Sequence, residues 1–93
     1  MNRFDIISLE KAKELASQPG YILVDMRSRQ EFDRGHIENA INISNANLSK
    51  INTFNRKNYT WILYCKRGGL SFRLARDMAR DGYKVLAVAG GYE

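Results

Sequence analysis

The chain carries a single cysteine, Cys65, and a single histidine, His36. One thiol cannot close an internal disulfide, and one thiol with one imidazole cannot supply the ligand set of a usual zinc site. No metal and no cofactor are expected. Cys65 is then either a small buried apolar residue or a reactive thiolate. Its neighbours favour the second. The run Cys65-Lys66-Arg67-Gly68-Gly69-Leu70-Ser71 follows an apolar stretch and precedes a helical one. Backbone N–H groups of such a loop and of the first helical turn can point at the sulfur. The helix dipole adds partial positive charge, and Lys66 and Arg67 add two full charges. Settings of this kind lower a cysteine pKa from about 8.5 to roughly 3.5–7.5. Gly68 and Gly69 let the backbone curl around an anion where a Cβ would obstruct it. The candidate nucleophile is Cys65, and the candidate binding residues are Lys66, Arg67, Gly68, Gly69, Leu70 and Ser71. The run is not a P-loop, because the Gly-x-x-x-x-Gly-Lys-Ser/Thr pattern is missing.

The elements that would position this run alternate between strand and helix patterns. Phe4 to Ile7 reads as a short strand. Ser8 is a good N-cap, and Leu9, Ala12, Leu15 and Ala16 give the following helix one apolar face. Pro19-Gly20 stops it. Tyr21 to Val24 is a continuous apolar run, read as a buried strand ended by Asp25. A polar helical segment covers Arg29 to Arg34, with Gly35 as its stop. Ala40 to Ile43 suggests a brief strand, and Leu48, Ile51 and Phe54 suit one helical face within Asn45 to Phe54. Thr60 to Tyr64 is a strand, with Cys65 just past its end and with Trp61 and Tyr64 expected to pack. A helix capped by Ser71 runs to Asp81, with Leu74, Ala75, Met78 and Ala79 as its buried stripe, and Gly82 ends it. Lys84 to Ala89 is the last strand, before Gly90-Gly91. Strands alternating with helices predict an α/β fold with a central, mainly parallel sheet of about five strands flanked by helices. Ligands of such sheets bind beyond the carboxyl ends of the strands, where both Asp25 and Cys65 fall.

Composition sets the outer bounds. The 93 residues are 44% hydrophobic and 27% charged, which suits one globular domain over residues 1–93. No stretch approaches the ~20 apolar residues of a membrane span. Met1 to Asp5 has no basic head followed by an apolar run, so a secretory signal is not expected and the cytoplasm is the default location. The net charge of +5 is spread along the chain and comes with no recognition motif, so no nucleic-acid partner is expected. Arg73, Arg76 and Arg80 recur around Asp77 at helical spacing, which suggests local ion pairs.

The residues resemble the rhodanese homology family. Asp25-Met26-Arg27, Glu31-Phe32, Gly35-His36-Ile37 and Ala40-Ile41-Asn42-Ile43 match its first half in order and spacing. A strand, a cysteine opening a six-residue loop (Cys65 to Leu70), a helix, a last strand and Gly90-Gly91 match its second half. The resemblance implies a sulfurtransferase. The Cys65 thiolate would take the sulfane sulfur of thiosulfate or a persulfide donor and hold it as a persulfide within the loop amides. A thiophilic acceptor, cyanide or a thiol, would then remove it. This is two-step nucleophilic catalysis with ping-pong kinetics. The resemblance gives Asp25 and Arg27 a structural role, with Asp25 bonding backbone amides or Arg27 pairing with Glu31. It also places His36 in the scaffold.

Two departures and two rivals matter. Leu70 stands where many family members carry a polar residue, which suits a persulfide on a larger molecule or a protein. Fuller members continue into a C-terminal helix, which this sequence lacks after Gly90-Gly91. Apolar surface near the last strand is then expected to lie open, with a homodimer as one way to cover it. A phosphatase relative would need an arginine where Ser71 stands, to clamp a phosphate bidentately. The remaining alternative is a catalytically weak module that binds a protein or senses oxidants through Cys65.

Overall fold

The computed structural model describes residues 3–92, so the expected domain is described except for Met1, Asn2 and Glu93. In chain order the elements are β1 (Asp5–Ile7), α1 (Leu9–Ala16), β2 (Tyr21–Asp25), α2 (Arg29–Arg34), β3 (Ile41–Asn42), α3 (Leu48–Asn52), β4 (Thr60–Tyr64), α4 (Gly69–Arg80) and β5 (Lys84–Val88). The five strands form one sheet in the order β1-β5-β4-β2-β3. Every pairing among them is parallel. Among the described residues no helix is long and apolar enough to cross a membrane.

Burial explains the strand assignments. β4 is the middle strand, and Trp61, Ile62, Leu63 and Tyr64 are all fully buried. A strand covered on both faces has no reason to alternate polar and apolar residues, which is why this one reads as a continuous apolar run. Its odd positions, with Val24, Val85 and Ala87, pack under α3 and α4 through Ile51, Leu74, Ala75 and Met78. Its even positions, with Leu23 and Val88, pack under α1 and Ile37 through Ala12 and Leu15. Removing one such side chain down to Ala costs about 2–5 kcal/mol.

The helices start where their caps dictate. Ser8 accepts from the Lys11 N–H, and Ser28 forms a reciprocal capping box with Glu31. Several elements are shorter than the sequence suggests, and β1 lacks Phe4. β3 keeps only Ile41 and Asn42, because it is an edge strand entered from a turn in which Asn39 has φ +75°. α3 starts at Leu48, since Asn45 is left-handed (φ +53°) and the Asn47 side chain caps the helix. Phe54 lies beyond its end and leans edge-on against Trp61 at 5.7 Å. β5 ends at Val88, although the Ala89 N–H still donates to the Ile7 carbonyl at 2.8 Å.

The expected open apolar surface does not fall on the last strand. Val85, Ala87 and Val88 are buried, and Leu86 is half-buried. The exposed apolar side chain of this edge is Ile6 on β1, at 55%.

Candidate active site

The register β2–β4 sets Asp25 beside Tyr64. The carboxyl ends of the two strands therefore lie side by side, and the chain leaves them in different directions. After β4 it turns into α4, which covers the Trp61 face. After β2 it passes through α2 to Ile37, which covers the Tyr64 face. A crevice opens between such diverging connections, and two acidic side chains stand at its floor.

The first is Cys65, buried at 4% exposure. The loop after it is tighter than the sequence suggests. α4 begins at Gly69, not after Ser71, and its N-cap is Gly68, with φ +91° and no side chain to cap with. Ser71 lies inside the first turn and is fully buried. The first N–H groups of a helix need acceptors. Here the Cys65 sulfur takes the place of the capping oxygen: the Gly68 N–H donates to Sγ at 3.1 Å, and the nearby N–H groups of Arg67 and Ser71 also favour its charged form. The Ser71 hydroxyl lies 3.6 Å from Sγ and 3.0 Å from the Gly68 carbonyl. With a thiol, S–H donates to Ser71 Oγ, whose own proton goes to Gly68. With a thiolate, the same hydroxyl turns to the sulfur.

Burial pushes the Cys65 thiol up, but the hydrogen bonds from the Ser71 hydroxyl and from the Ser71, Arg67 and Gly68 N–H groups outweigh it. The thiol sits below its ordinary value. The two cations of the loop make further contacts. Arg67 acts on the sulfur through its backbone N–H. Lys66 Nζ reaches Glu31 at 3.4 Å and ties the loop to α2. The Ser28 backbone N–H is the main cause that holds the Glu31 carboxyl below the usual carboxylate range, and Lys66 contributes less.

The second anion is Asp25, whose side chain is fully buried against that of Arg27, which is 5% exposed. Arg27 does not pair with Glu31 in an ion bridge, as the sequence left open. It turns back on Asp25, donating from Nε to both carboxylate oxygens at 3.1 Å and from a terminal nitrogen to Oδ2 at 2.8 Å. The Arg27 N–H and the Tyr64 hydroxyl also donate to Asp25, at 2.8 and 2.7 Å. Tyr64 thus does more than pack. Burial and the Asp25 carboxylate raise its pKa far above the ordinary phenol value, so it stays a donor. It accepts in turn from the Ile37 N–H at 3.2 Å. The Asn42 amide donates to the Asp25 and Arg27 carbonyls, and the Ser44 hydroxyl donates to Arg27.

His36 stacks on Phe32 at 3.6 Å and donates from Nδ1 to the Phe32 carbonyl at 2.7 Å, which is a scaffold contact on α2. Leu70 is 51% exposed on the rim of a cleft of about 240 Å³, with Met26, Ala46, Leu48, Leu74 and Arg73. Asp77 forms its 3.4 Å ion pair with its neighbour Arg76, not with Arg73 across a turn. A second cleft of about 310 Å³ lies between Arg27, Glu31, Arg34, Lys66 and Tyr92. No group of three or more His, Cys, Asp or Glu able to hold a metal occurs among the described residues. Tyr92 carries no signal at sequence level. Its N–H donates to the Cys65 carbonyl at 2.9 Å, and its ring covers Arg27 at 4.6 Å.

The same architecture occurs in known proteins. The family model for the rhodanese-like domain matches residues 8–93. The thiosulfate sulfurtransferase GlpE of Ectopseudomonas mendocina is 33% identical over the whole chain and 85% of its own length. That of Coxiella burnetii is 30% identical over 94% of this chain and 82% of its own. A tRNA sulfurtransferase of Desulfurococcus amylolyticus is 32% identical over 86% of this chain, which spans only 16% of that relative. Among solved structures, protein SSP1007 of Staphylococcus saprophyticus superposes with a TM-score of 0.80 at 26% identity, over 95% of this chain and 89% of its own. The chain belongs to the rhodanese-like domain family.

Proposed function

We propose that this chain is a sulfurtransferase that carries sulfane sulfur on Cys65. The observation that carries the reading is the Cys65 sulfur at the N-terminus of α4, bonded by the Gly68 N–H at 3.1 Å and held below an ordinary thiol by the loop amides and Ser71. A thiolate so placed is a nucleophile at neutral pH. It attacks the outer sulfur of thiosulfate or of a persulfide. The donor S–S bond breaks with its electron pair leaving on sulfite or on the donor thiolate, and a Cys65 persulfide forms. The terminal sulfur keeps a negative charge inside the amide ring. A thiol or cyanide then attacks that sulfur, leaves as persulfide or thiocyanate, and returns Cys65 as thiolate. Relatives named thiosulfate sulfurtransferase support the small-anion donor. The exposed Leu70 and the largely apolar cleft beside it support a persulfide on a larger molecule.

Intact-mass spectrometry of the reduced protein tests the reading. A gain of one sulfur atom with thiosulfate, reversed by cyanide and absent in Cys65→Ser, is the expected result. A gain only with a persulfide donor assigns the donor class. No gain with any donor ends the proposal.

A further inference from the structure

The segment after β5 returns to the cysteine loop and touches it residue by residue. Gly90 and Gly91 both have positive φ, +78° and +75°. A Cβ on Gly91 would lie 2.3 Å from the Lys66 carbonyl oxygen, 2.5 Å from its carbon and 2.7 Å from the Arg67 nitrogen. These are main-chain atoms, which cannot step aside as a flexible side chain would, so only glycine allows this approach. The peptide it touches joins Lys66 to Arg67, inside the run that ends on the Gly68 N–H bonded to the sulfur at 3.1 Å. On either side of this contact the Tyr92 N–H donates to the Cys65 carbonyl at 2.9 Å, and Gly90 lies against Gly68, whose added Cβ would meet its nitrogen at 3.7 Å. The Tyr92 ring then fastens the segment. It packs edge-on against Tyr64 at 5.5 Å and on the Arg27 guanidinium at 4.6 Å, both fixed by Asp25.

We propose that Gly91 and Tyr92 are positioning residues for the nucleophile: they hold the backbone from Cys65 to Gly68 in the curl that aims its N–H groups at the sulfur. The segment anchors the loop to the buried Asp25–Arg27–Tyr64 assembly, which adds to the loop's own hydrogen bonds. The inference rests on Cys65 being the reactive thiol, and it concerns how that thiol is kept ready.

The test is the pH dependence of Cys65 alkylation by iodoacetamide, which reads the thiolate without any sulfur donor. It therefore separates this inference from the fate of the sulfur-transfer reading. In Gly91→Ala the midpoint of the profile rises and alkylation near neutral pH slows about tenfold, since the loop amides lose their aim. Tyr92→Ala, which keeps the backbone N–H, shows the same change a few-fold smaller. Gly20→Ala is the control. Gly20 has φ +90° and open space where a Cβ would go, so this variant bears the same left-handed strain and keeps the wild-type midpoint. A folded Gly91→Ala with an unmoved midpoint overturns the proposal. Should Gly91→Ala not fold, two other readouts decide. Protection of the Tyr92 N–H from hydrogen exchange in the unaltered protein, with a raised midpoint in Tyr92→Ala, supports it. Exchange at the rate of an unstructured peptide, or an unmoved Tyr92→Ala midpoint, overturns it.

Discussion

Two acidic groups sit at the carboxyl ends of neighbouring strands, and they are held in opposite ways. Asp25 receives a guanidinium, a phenol and a backbone N–H at 2.7–3.1 Å. Its counter-charge is a full unit, buried with it. Such a pair is costly to assemble and costlier to break, and every lone pair it fills is unavailable for chemistry. Cys65 has no full counter-charge bonded to it. Its partners are amide dipoles and one hydroxyl that has a second acceptor. Those partners favour the thiolate while leaving the sulfur a face from which to react. On the proposed function, reactivity at this crevice comes from incomplete neutralisation, and rigidity comes from complete neutralisation on the neighbouring strand.

The contrast predicts distinct failures. Arg27→Ala has the largest expected effect. It strands a buried carboxylate and costs about 3–5 kcal/mol, a large share of the stability of a small domain. Urea titration reads it, and a loss below about 1 kcal/mol would mean the network does not anchor the fold. On the other side, Ser71→Ala removes one hydrogen bond to a charged atom, about 1.5–3 kcal/mol. The thiolate titrates higher, and alkylation near neutral pH slows about tenfold. An unaltered alkylation profile would show that the amides alone support the thiolate.

The depressed Cys65 thiol also makes a pH prediction. The unfolded chain binds this proton more tightly than the folded one, so stability rises with pH between the folded and unfolded thiol values. The contribution is complete above the unfolded value and is lost as pH falls through the folded one. Urea midpoints should therefore rise toward pH 9 in the unaltered protein relative to Cys65→Ala. Parallel curves for the two proteins would remove the amide stabilisation. The smallest effect belongs to Glu31→Gln. The Lys66–Glu31 pair is half-exposed and 3.4 Å long, so it is weak and screened by salt. Freeing Lys66 should lower KM for thiosulfate about twofold at low ionic strength, with kcat unchanged. A rise in KM would mean that Lys66 needs Glu31 to reach the donor.

Much of this was legible from residue types. A polar segment ended by Gly35 gave α2 its bounds, and the apolar runs gave β2 and β4 because a doubly covered strand leaves a pattern that needs no partner to be read. Cys65 among cations and glycines marked the site. The start of α4 was misplaced, because Ser71 looks like a cap by type. The true cap contact comes from a sulfur three residues before Gly68, a pairing no propensity encodes. Arg27 carries no mark that says whether it turns to Asp25 or to Glu31; only the burial of both Asp25 and Arg27 settles it, since a buried charge takes the nearest full partner.

The sequence by itself determined the order of strands and helices, the candidate nucleophile and the glycines that let its loop curl, since these depend on local periodicity and backbone freedom. The tertiary structure decided what surrounds the sulfur. It brought Tyr92 and Gly91 from the end of the last strand against the Cys65 loop, and set Tyr64 beside Asp25 across 39 positions of chain. Those contacts follow from strand order and register, and side-chain chemistry becomes a site only once the sheet has placed two distant segments within hydrogen-bond reach.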